Sequence, residues 1–442
     1  MNPTRRHLIL GASAGMVAGT FVRSASALIA PRTLPQGADT DSLRPGEPGA
    51  DYKPVVTPNG AALPFRIVDG YKVFHLIAEE VEHEFAPGLS AQCYGFNGRV
   101  HGPTIEAVEG DRVRIYVTNR LSAPTSIHWH GLVLPNGMDG VGGLTQRPIG
   151  PGETFLYQFP LRQHGTYMYH SHHDEMAQMA MGLMGLFVIH PRVPAEPAPE
   201  RDYAFLLSEW KIDVGARRPD PNEMMDFNVL TLNARTAPGT EHILARVGER
   251  VRLRIANLSA MSHHPIHLHG HSFHITATDG GVVPPSARWP EVTAIVPTGS
   301  TRDFEFTATE PGDWALHCHM THHVMTQMGH DLPILEGTDP SLFDEALERA
   351  VPAYAAMGSG MGHGTGAMAA GMDAPALVPP NQLAMVGTRG PFGFITMGGM
   401  FTVLKVRHTL PEGRDVGWYE HPEGTVASRA RAQDISRDGI TP

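Results

Sequence analysis

Residues 110–119, GDRVRIYVTN, and residues 248–257, GERVRLRIAN, are two copies of one strand-forming segment. Each copy starts with Gly and an acidic residue, alternates apolar and charged positions as a half-buried strand does, and ends in Asn. Each is followed by an HxHG motif, which begins at His128 in the first copy and at His267 in the second. The chain therefore contains an internal repeat built on strands.

The repeat continues in a second pair of matching segments. GTYMYHSH at residues 165–172 corresponds to GDWALHCH at residues 312–319. The period of about 140 residues suits one β-sandwich per copy. PRVPAEPAPERD at residues 191–202 separates the copies, and its proline content predicts a semi-rigid linker.

Composition agrees with an all-β chain. The sequence holds 48 Gly and 38 Pro in 442 residues, and no long helical periodicity stands out. This length indicates two or three domains. The net charge of −11 argues against a nucleic-acid partner.

The segment HCHMTHHVMTQM at residues 317–328 indicates the chemistry. On a strand, residues two apart share a face, so His317 and His319 lie on one side and Cys318 on the other. A thiolate with two imidazoles and a weak thioether is the ligand set of a blue copper site. One strand could thus serve two metal sites, one on each face.

Three further segments carry His-x-His, at His128, at His170 and at His267. Each pair can present two imidazoles on one strand face. Four such pairs in one chain, one of them bracketing a cysteine, predict a site for several metal ions.

These motifs resemble the four copper-binding segments of the multicopper oxidase family. HWHG, HSH, HPxHLHG and HCHxxxHxxxxM occur in the family's order and spacing, and the resemblance covers roughly residues 70 to 335. It implies two tandem cupredoxin-like Greek-key β-sandwiches and four coppers per chain. The implied type 1 copper ligands are His264, Cys318, His323 and the axial Met328. The implied type 2 ligands are His128 and His267. The implied ligands of the type 3 pair are His130, His170, His172, His269, His317 and His319.

Alignment of the two copies assigns the type 1 site to the second domain. Ser171 stands opposite Cys318, Thr125 opposite His264, and Met176 opposite His323. Each domain then supplies four histidines to a three-copper cluster, which must form where a first domain meets a second. The cluster could lie within one chain or between chains. Two-domain relatives form head-to-tail trimers, so the resemblance implies a homotrimer.

Two further residues have assigned roles. Asp139 follows HWHG, and the resemblance makes it a proton relay beside the cluster, whereas its place before Gly140 would also suit a turn. Cys93 has no partner for a disulfide if Cys318 binds copper, and we expect it to be a buried core residue.

The N-terminal segment has the pattern of an export signal. Twin arginines at Arg5 and Arg6, a short apolar stretch and an A-x-A site at 25–27 are typical of a twin-arginine signal peptide. We expect export to the periplasm or secretion, with no membrane span.

GMFTVLKVRHTL at 399–410 is predicted to be a strand packed on the body. The predicted organisation is a signal peptide at 1–27, an extended arm at 28–65, cupredoxin domain 1 at 66–192, cupredoxin domain 2 at 198–337 and a Met/Gly-rich C-terminal extension at 338–442.

The resemblance implies a laccase-like oxidase that couples one-electron oxidation of a reductant to reduction of O2 to water. The reductant is a phenol, an aromatic amine or a low-valent metal ion such as cuprous ion. Two alternatives are a copper nitrite reductase-like enzyme and a non-enzymatic periplasmic copper-binding or tolerance protein. The first would carry its type 1 copper in domain 1, and the second would take up no O2.

Overall fold

The structure, a computed structural model, describes residue 40 and residues 42–194, 196–213, 215–327, 383, 389–411 and 416–441. The predicted signal peptide, the axial-ligand candidate Met328 and most of the Met/Gly-rich stretch after it lie outside the described residues. Within the described part, no helix combines the length and the hydrophobicity that a membrane span requires.

Two β-sandwiches account for most of the described chain, so the all-β prediction is confirmed. In the first sandwich one sheet has the order β1-β2-β5-β7 with β3 paired to β2, and the other has the order β4-β9-β8-β6. Its strands are β1 (Phe65–Val68), β2 (Tyr71–Ala86), β3 (Leu89–Phe96), β4 (Gly102–Val108), β5 (Arg112–Asn119), β6 (Ile127–His130), β7 (Thr154–Pro160), β8 (Gly165–Ser171) and β9 (Met184–His190). A short helix, α1 (Glu175–Ala180), lies between β8 and β9.

The second sandwich repeats this plan. Its sheets have the orders β11-β10-β13-β18-β15-β16 and β12-β22-β19-β14-β17. Its strands are β10 (Arg201–Trp210), β11 (Val229–Leu232), β12 (Ile243–Arg246), β13 (Arg250–Asn257), β14 (His264–Leu268), β15 (His274–Thr278), β16 (Gly281–Val282), β17 (Thr293–Val296), β18 (Thr301–Thr307), β19 (Gly312–Cys318) and β22 (Phe401–Arg407). A hairpin of β20 (Arg389–Gly390) and β21 (Gly393–Phe394) precedes β22, and α2 (Ala432–Arg437) lies near the end of the chain.

The strand predicted at 399–410 is an internal strand of the second sandwich. β22 pairs antiparallel with β19 and parallel with β12, just as β9 pairs with β8 and β4 in the first sandwich. Leu404 and Val406 of β22 are fully buried in the core of the second sandwich. Residues 198–337 therefore do not complete this sandwich by themselves.

The repeated acidic residue has the same task in both copies. Asp111 accepts a hydrogen bond from the backbone N of Val108 at 2.9 Å, and Glu249 accepts one from the backbone N of Arg246 at 2.8 Å. Each carboxylate closes the turn before its strand and also forms ion pairs with two cationic side chains. The cations are Lys72 and Arg192 in the first copy and Arg201 and Arg246 in the second.

The repeated asparagines anchor the loops that lead into the HxHG strands. Asn119 donates from Nδ2 to the carbonyl oxygens of Ala123 and Ile149, at 2.9 and 2.8 Å. Asn257 donates likewise to Ser262 and Val296, both at 2.9 Å. Because both asparagines are fully buried, these bonds satisfy groups that water cannot reach.

The first sandwich packs on only one of the two sheets of the second. Met184 and Leu186 of β9 contact Ala204 and Leu206 on the outer face of β10, within one apolar cluster. At its margin Arg254 of β13 donates from Nη1 to Thr166 Oγ1 of β8 at 2.9 Å. Consequently the β12-β22-β19-β14-β17 sheet faces away from the first sandwich.

The described part of the predicted N-terminal arm is extended and crosses both sandwiches. Val56 exchanges backbone hydrogen bonds with Asp202 and Ala204 of the second sandwich, both at 2.9 Å. Leu63 bonds to Thr104 of the first sandwich at 2.8 Å.

Candidate metal centres

A buried triad of His264, Cys318 and His323 lies at one end of the second sandwich. The Nδ1 atoms of the two histidines are 3.1 Å apart. Cys318 Sγ lies 3.7 Å from His264 Nδ1 and 3.5 Å from His323 Nδ1. Three soft donor atoms at these spacings fit one ion bound at roughly 2 Å, and the Cys–His–His set is the trigonal arrangement of blue copper.

Burial sets the protonation state of the triad. It lowers the pKa of His264 to about 3 and that of His323 to about 4, mainly because the charged imidazolium loses its hydration. Both rings are therefore neutral near pH 7, which is the form that binds metal. Burial raises the pKa of the Cys318 thiol to about 12, so metal binding there must release a proton.

Two residues that the sequence interpretation missed support the triad. Ser259 Oγ is 2.7 Å from His264 Nε2, which leaves Nδ1 directed at Cys318. Glu209 of β10 accepts the backbone N–H groups of Met261 and Ser262 through Oε1, at 2.6 and 3.0 Å. Both contacts join residues that no motif pairs, so only the folded arrangement of β10, β13 and β14 identifies them.

Four histidines of the first sandwich form a cluster that we name the first half-site. His128 is at its centre, with ring centroids 5.4–5.7 Å from those of the other three. His130 Nδ1 approaches His170 Nε2 at 3.3 Å. Burial lowers the pKa of His170 to about 3 and also lowers that of His130, which favours the neutral ligand form. The members are His128, His130, His170 and His172.

The second half-site has the same construction on the second sandwich. His267 is central, with ring centroids 4.7–5.5 Å from those of its three neighbours. His269 Nε2 lies 3.1 Å from His317 Nε2. Burial lowers the pKa of His317 to about 4 and also lowers that of His269. The members are His267, His269, His317 and His319.

Backbone acceptors orient the central histidines. His128 Nδ1 donates to the carbonyl oxygen of Asp139 at 2.9 Å, and His267 Nδ1 donates to that of Val292 at 2.7 Å. Each bond leaves Nε2 unprotonated and available for a metal ion. The Asp139 carboxylate also lies 3.4 Å from His128 Nδ1, so this residue is beside the half-site as the sequence suggested.

Strand β19 connects the triad with the second half-site. Cys318 faces the core and His317 faces the outside, as the alternation of a strand requires. In addition His317 Nδ1 donates to the carbonyl oxygen of Cys318 at 2.7 Å. The two sites are thus linked by one peptide unit and by one hydrogen bond.

The first sandwich has no copper-type triad at the corresponding position. Thr125, Ser171 and Gln178 are buried there and joined by hydrogen bonds. Gln178, two residues beyond the aligned Met176, is the residue whose side chain joins Thr125 and Ser171, which align with His264 and Cys318. Met176 is 63% exposed because α1 turns its side chain outward. Cys93 is fully buried in an apolar cluster, as predicted.

Comparison with known proteins agrees with this arrangement. Two multicopper oxidase family models match residues 78–194 and residues 213–337, which together make up more than half of the chain. The chain is 32% identical over 246 residues to copper resistance protein A of Escherichia coli, an alignment that covers 45% of this chain and 40% of that protein. It is 32% identical over 263 residues to multicopper oxidase MmcO of Mycobacterium tuberculosis, covering 51% of this chain and 49% of that protein.

The fold also has known counterparts. A blue copper oxidase from Nitrosomonas europaea superposes with a TM-score of 0.55 at 24% identity, over 76% of this chain and 85% of that one. The chain spans about half or less of the length of the two curated relatives named above. Because both family models match and the described motif residues include three groups that could hold a metal ion, this chain belongs to the multicopper oxidase family.

Proposed function

We propose that the chain is a laccase-like oxidase that couples one-electron oxidation of a reducing substrate to the four-electron reduction of O2 to water. The observation that carries this proposal is the construction of β19. It holds Cys318 in a buried triad on one face and His317 in a four-histidine half-site on the other. A protein that only stores copper needs no such connection between a Cys–His–His site, which exchanges one electron at a time, and a cluster of imidazoles.

The proposed ligands follow the three clusters. Bound at these sites, copper would accept single electrons from a donor and deliver four of them to one O2 molecule. We assign one type 1, one type 2 and two type 3 coppers per chain. The type 1 ligands are His264, Cys318, His323 and Met328, the last of which lies outside the described residues. The type 2 ligands are His128 and His267, and the type 3 ligands are His130, His170, His172, His269, His317 and His319.

The chain's own groups then have defined tasks. Burial keeps the imidazoles of His264 and His323 neutral and excludes water from the triad. The Cys318–His317 peptide and its hydrogen bond provide the electron path between the sites. Asp139 is the proposed proton relay, because its carboxylate lies at the first half-site and reduction of O2 to water consumes four protons.

We propose further that the complete cluster forms between chains of a homotrimer. The first sandwich covers the outer face of the β10-containing sheet, whereas the second half-site lies on the outer face of the opposite sheet. The two faces of a sandwich are separated by the core, whose sheets alone are about 10 Å apart. Among the eight described histidines, no ring of one half-site contacts a ring of the other. A head-to-tail ring would bring the half-sites of neighbouring chains together.

Apolar residues beside each half-site support an interface at this place. Trp289, Val292 and Ile295 are half or more exposed on and before strand β17, which pairs with the strand β14 that carries His267. Val133 and Leu144 are exposed in the loop that follows His130. Apolar side chains grouped around an open metal half-site are what a protein contact would cover.

The substrate class and the location are also proposals. Copper resistance protein A and several laccases are among the relatives, which favours cuprous ion, other low-valent metal ions, phenols or aromatic amines as reductants. The twin-arginine pattern at the chain start favours export to the periplasm or secretion.

Oxygen uptake by the copper-loaded chain tests the function, with cuprous, ferrous, manganous and phenolic donors. Cys318→Ser should lose the blue colour and abolish oxidation of every donor. Cys93→Ser is the matched control, since Cys93 is buried away from all three clusters, and it should stay blue and active. Copper binding without O2 uptake would favour the non-enzymatic alternative. Reduction of nitrite without O2 uptake would favour the nitrite reductase alternative.

A further inference from the structure

We infer that Gln178 is the positioning residue of the first half-site. Its side chain joins three segments of the first sandwich, and the metal-binding triad joins the equivalent segments of the second sandwich. This inference rests on the proposed function, because it concerns copper bound by the first half-site. Gln178 carries no charge and contacts no proposed copper ligand through its side chain, so its role would be to fix the segments on which the ligands stand.

Three hydrogen bonds connect the Gln178 side chain to two other segments. Its Oε1 accepts from Thr125 Oγ1 at 2.7 Å and from Ser171 Oγ at 2.5 Å. Its Nε2 donates to the carbonyl oxygen of Pro124 at 2.8 Å. All three hydrogen-bonding side chains are fully buried. Water therefore cannot replace a bond that is lost.

The segments so connected carry the ligands of the half-site. Thr125 lies two residues before strand β6, which presents His128 and His130. Ser171 ends strand β8 and stands between His170 and His172. Gln178 itself belongs to α1, the helix that follows. One amide thus fixes the base of both ligand strands relative to each other.

The second sandwich joins the same segments through the triad. His264 begins β14, Cys318 ends β19, and His323 lies in the short turn Thr321–Val324 that follows. Their ligand atoms are within 3.7 Å of one another, as the oxygens of the first sandwich are. We call the point where these three segments meet the corner of the sandwich. In the second sandwich metal ligands join the segments at the corner, whereas in the first a neutral amide and two hydroxyls do so.

His172 depends most on this corner, because it lies one residue beyond the end of β8. Its backbone N donates to Ser126 at 3.1 Å, and the next residue, His173, donates its backbone N–H to Ser171 Oγ at 3.4 Å. Loss of the amide would remove the acceptor that Thr125 and Ser171 share and would shift His172 relative to His128, while Ser171 Oγ keeps its contact with the carbonyl oxygen of His173 at 3.1 Å. Partners behind metal ligands typically contribute about 10–100-fold to metal affinity.

Gln178→Leu tests the inference, with Gln178→Glu as the conservative variant and Ser208→Ala as the matched control. Leu keeps the volume but removes all three bonds, whereas Glu keeps an oxygen that accepts both hydroxyls. Ser208 is equally buried in a hydroxyl network, with Thr231 and Trp210, away from the copper clusters. Copper per chain, the blue absorption and the electron paramagnetic resonance of type 2 copper are measured on each loaded protein.

Gln178→Leu should keep the blue absorption, bind the copper of the three-copper cluster about 10–100-fold more weakly and lose the type 2 signal. Gln178→Glu and Ser208→Ala should keep both signals. The inference is overturned if Gln178→Leu retains its full copper content, or if it and Ser208→Ala lose copper alike. Should Gln178→Leu not fold, Ser171→Ala removes the 2.5 Å bond to Gln178 together with the Ser171 Oγ contacts to His173, and retention of the type 2 signal there overturns the inference. A wild-type chain that binds only the blue copper would instead refute the proposed function.

Discussion

Complementation between two inactive chains tests whether neighbours share the cluster, and the arrangement of the half-sites gives its magnitude. One variant loses the first half-site and the other loses the second, while both keep the type 1 ligands. The first variant is His128→Ala with His130→Ala, and the second is His267→Ala with His269→Ala. Each chain alone should be inactive, because every cluster in its assembly lacks half of its ligands.

Random co-assembly at equal amounts should restore a defined fraction of activity. At each interface the first half-site is intact in half of the cases, and so is the second half-site of the neighbour. About one quarter of the interfaces then hold eight histidines, so O2 consumption per chain should reach about one quarter of the wild-type value. A cluster within one chain would recover nothing.

The assay is O2 consumption by mixtures refolded together, in which native mass spectrometry verifies mixed trimers. A negative control combines the second variant with Cys318→Ser. Both defects then lie in the second sandwich, and no interface pairs a complete second half-site with an intact Cys318 on the same β19 strand. This mixture should stay inactive. Verified mixed trimers without recovery in the first mixture, or a fully active monomer, would refute the shared cluster.

Three further predictions concern single residues. Asp139→Asn should slow reoxidation by O2 about 10²-fold in stopped-flow kinetics, because it removes the proposed proton donor. Copper content should stay unchanged, because His128 is bonded to the backbone carbonyl of Asp139. Unaltered reoxidation would leave Asp139 as a turn residue. Burial alone would raise the pKa of Glu249, but hydrogen bonds from Arg201 and Arg246 outweigh it and lower the pKa from 4.5 to about 2. The ionised form therefore stabilises the fold above about pH 4.5. Because solvent screens the partly exposed arginines, Glu249→Gln should reduce the free energy of unfolding by only about 1 kcal/mol near pH 7, and the difference from wild type should vanish as pH falls towards 2. A pH-independent difference in urea titrations would contradict this. Ser259→Ala should keep the blue colour but lose type 1 copper to a chelator about 10-fold more readily, since His264 Nε2 loses its 2.7 Å partner; equal resistance to the chelator would assign Ser259 no part in holding the ring.

The residues of the metal clusters could be predicted because their arrangement is local. Alternation along a strand places His317 and Cys318 on opposite faces, whatever surrounds the strand. The repeat likewise indicated that Ser171 replaces the cysteine in the first sandwich. Gln178 could not be predicted in this way, because the loop between β8 and β9 folds into α1 and moves the third corner residue away from the aligned position.

The sequence by itself determined the all-β class and the duplication, since these follow from short-range periodicity and from identity between the copies. The grouping of the ligand residues was implied by the resemblance of the motifs to the multicopper oxidase family. The tertiary structure alone decided that β22 completes the second sandwich, because it pairs with β19 across a long intervening stretch of chain. It also decided which sheet of the second sandwich receives the first. That choice depends on the fit of two apolar faces, which carry Met184 and Leu186 on one side and Ala204 and Leu206 on the other. The sequence does not reveal it, because the strands of both sheets alternate apolar and polar residues in the same way. Because the first sandwich takes the face opposite the second half-site, we propose that the two halves of the cluster come from different chains.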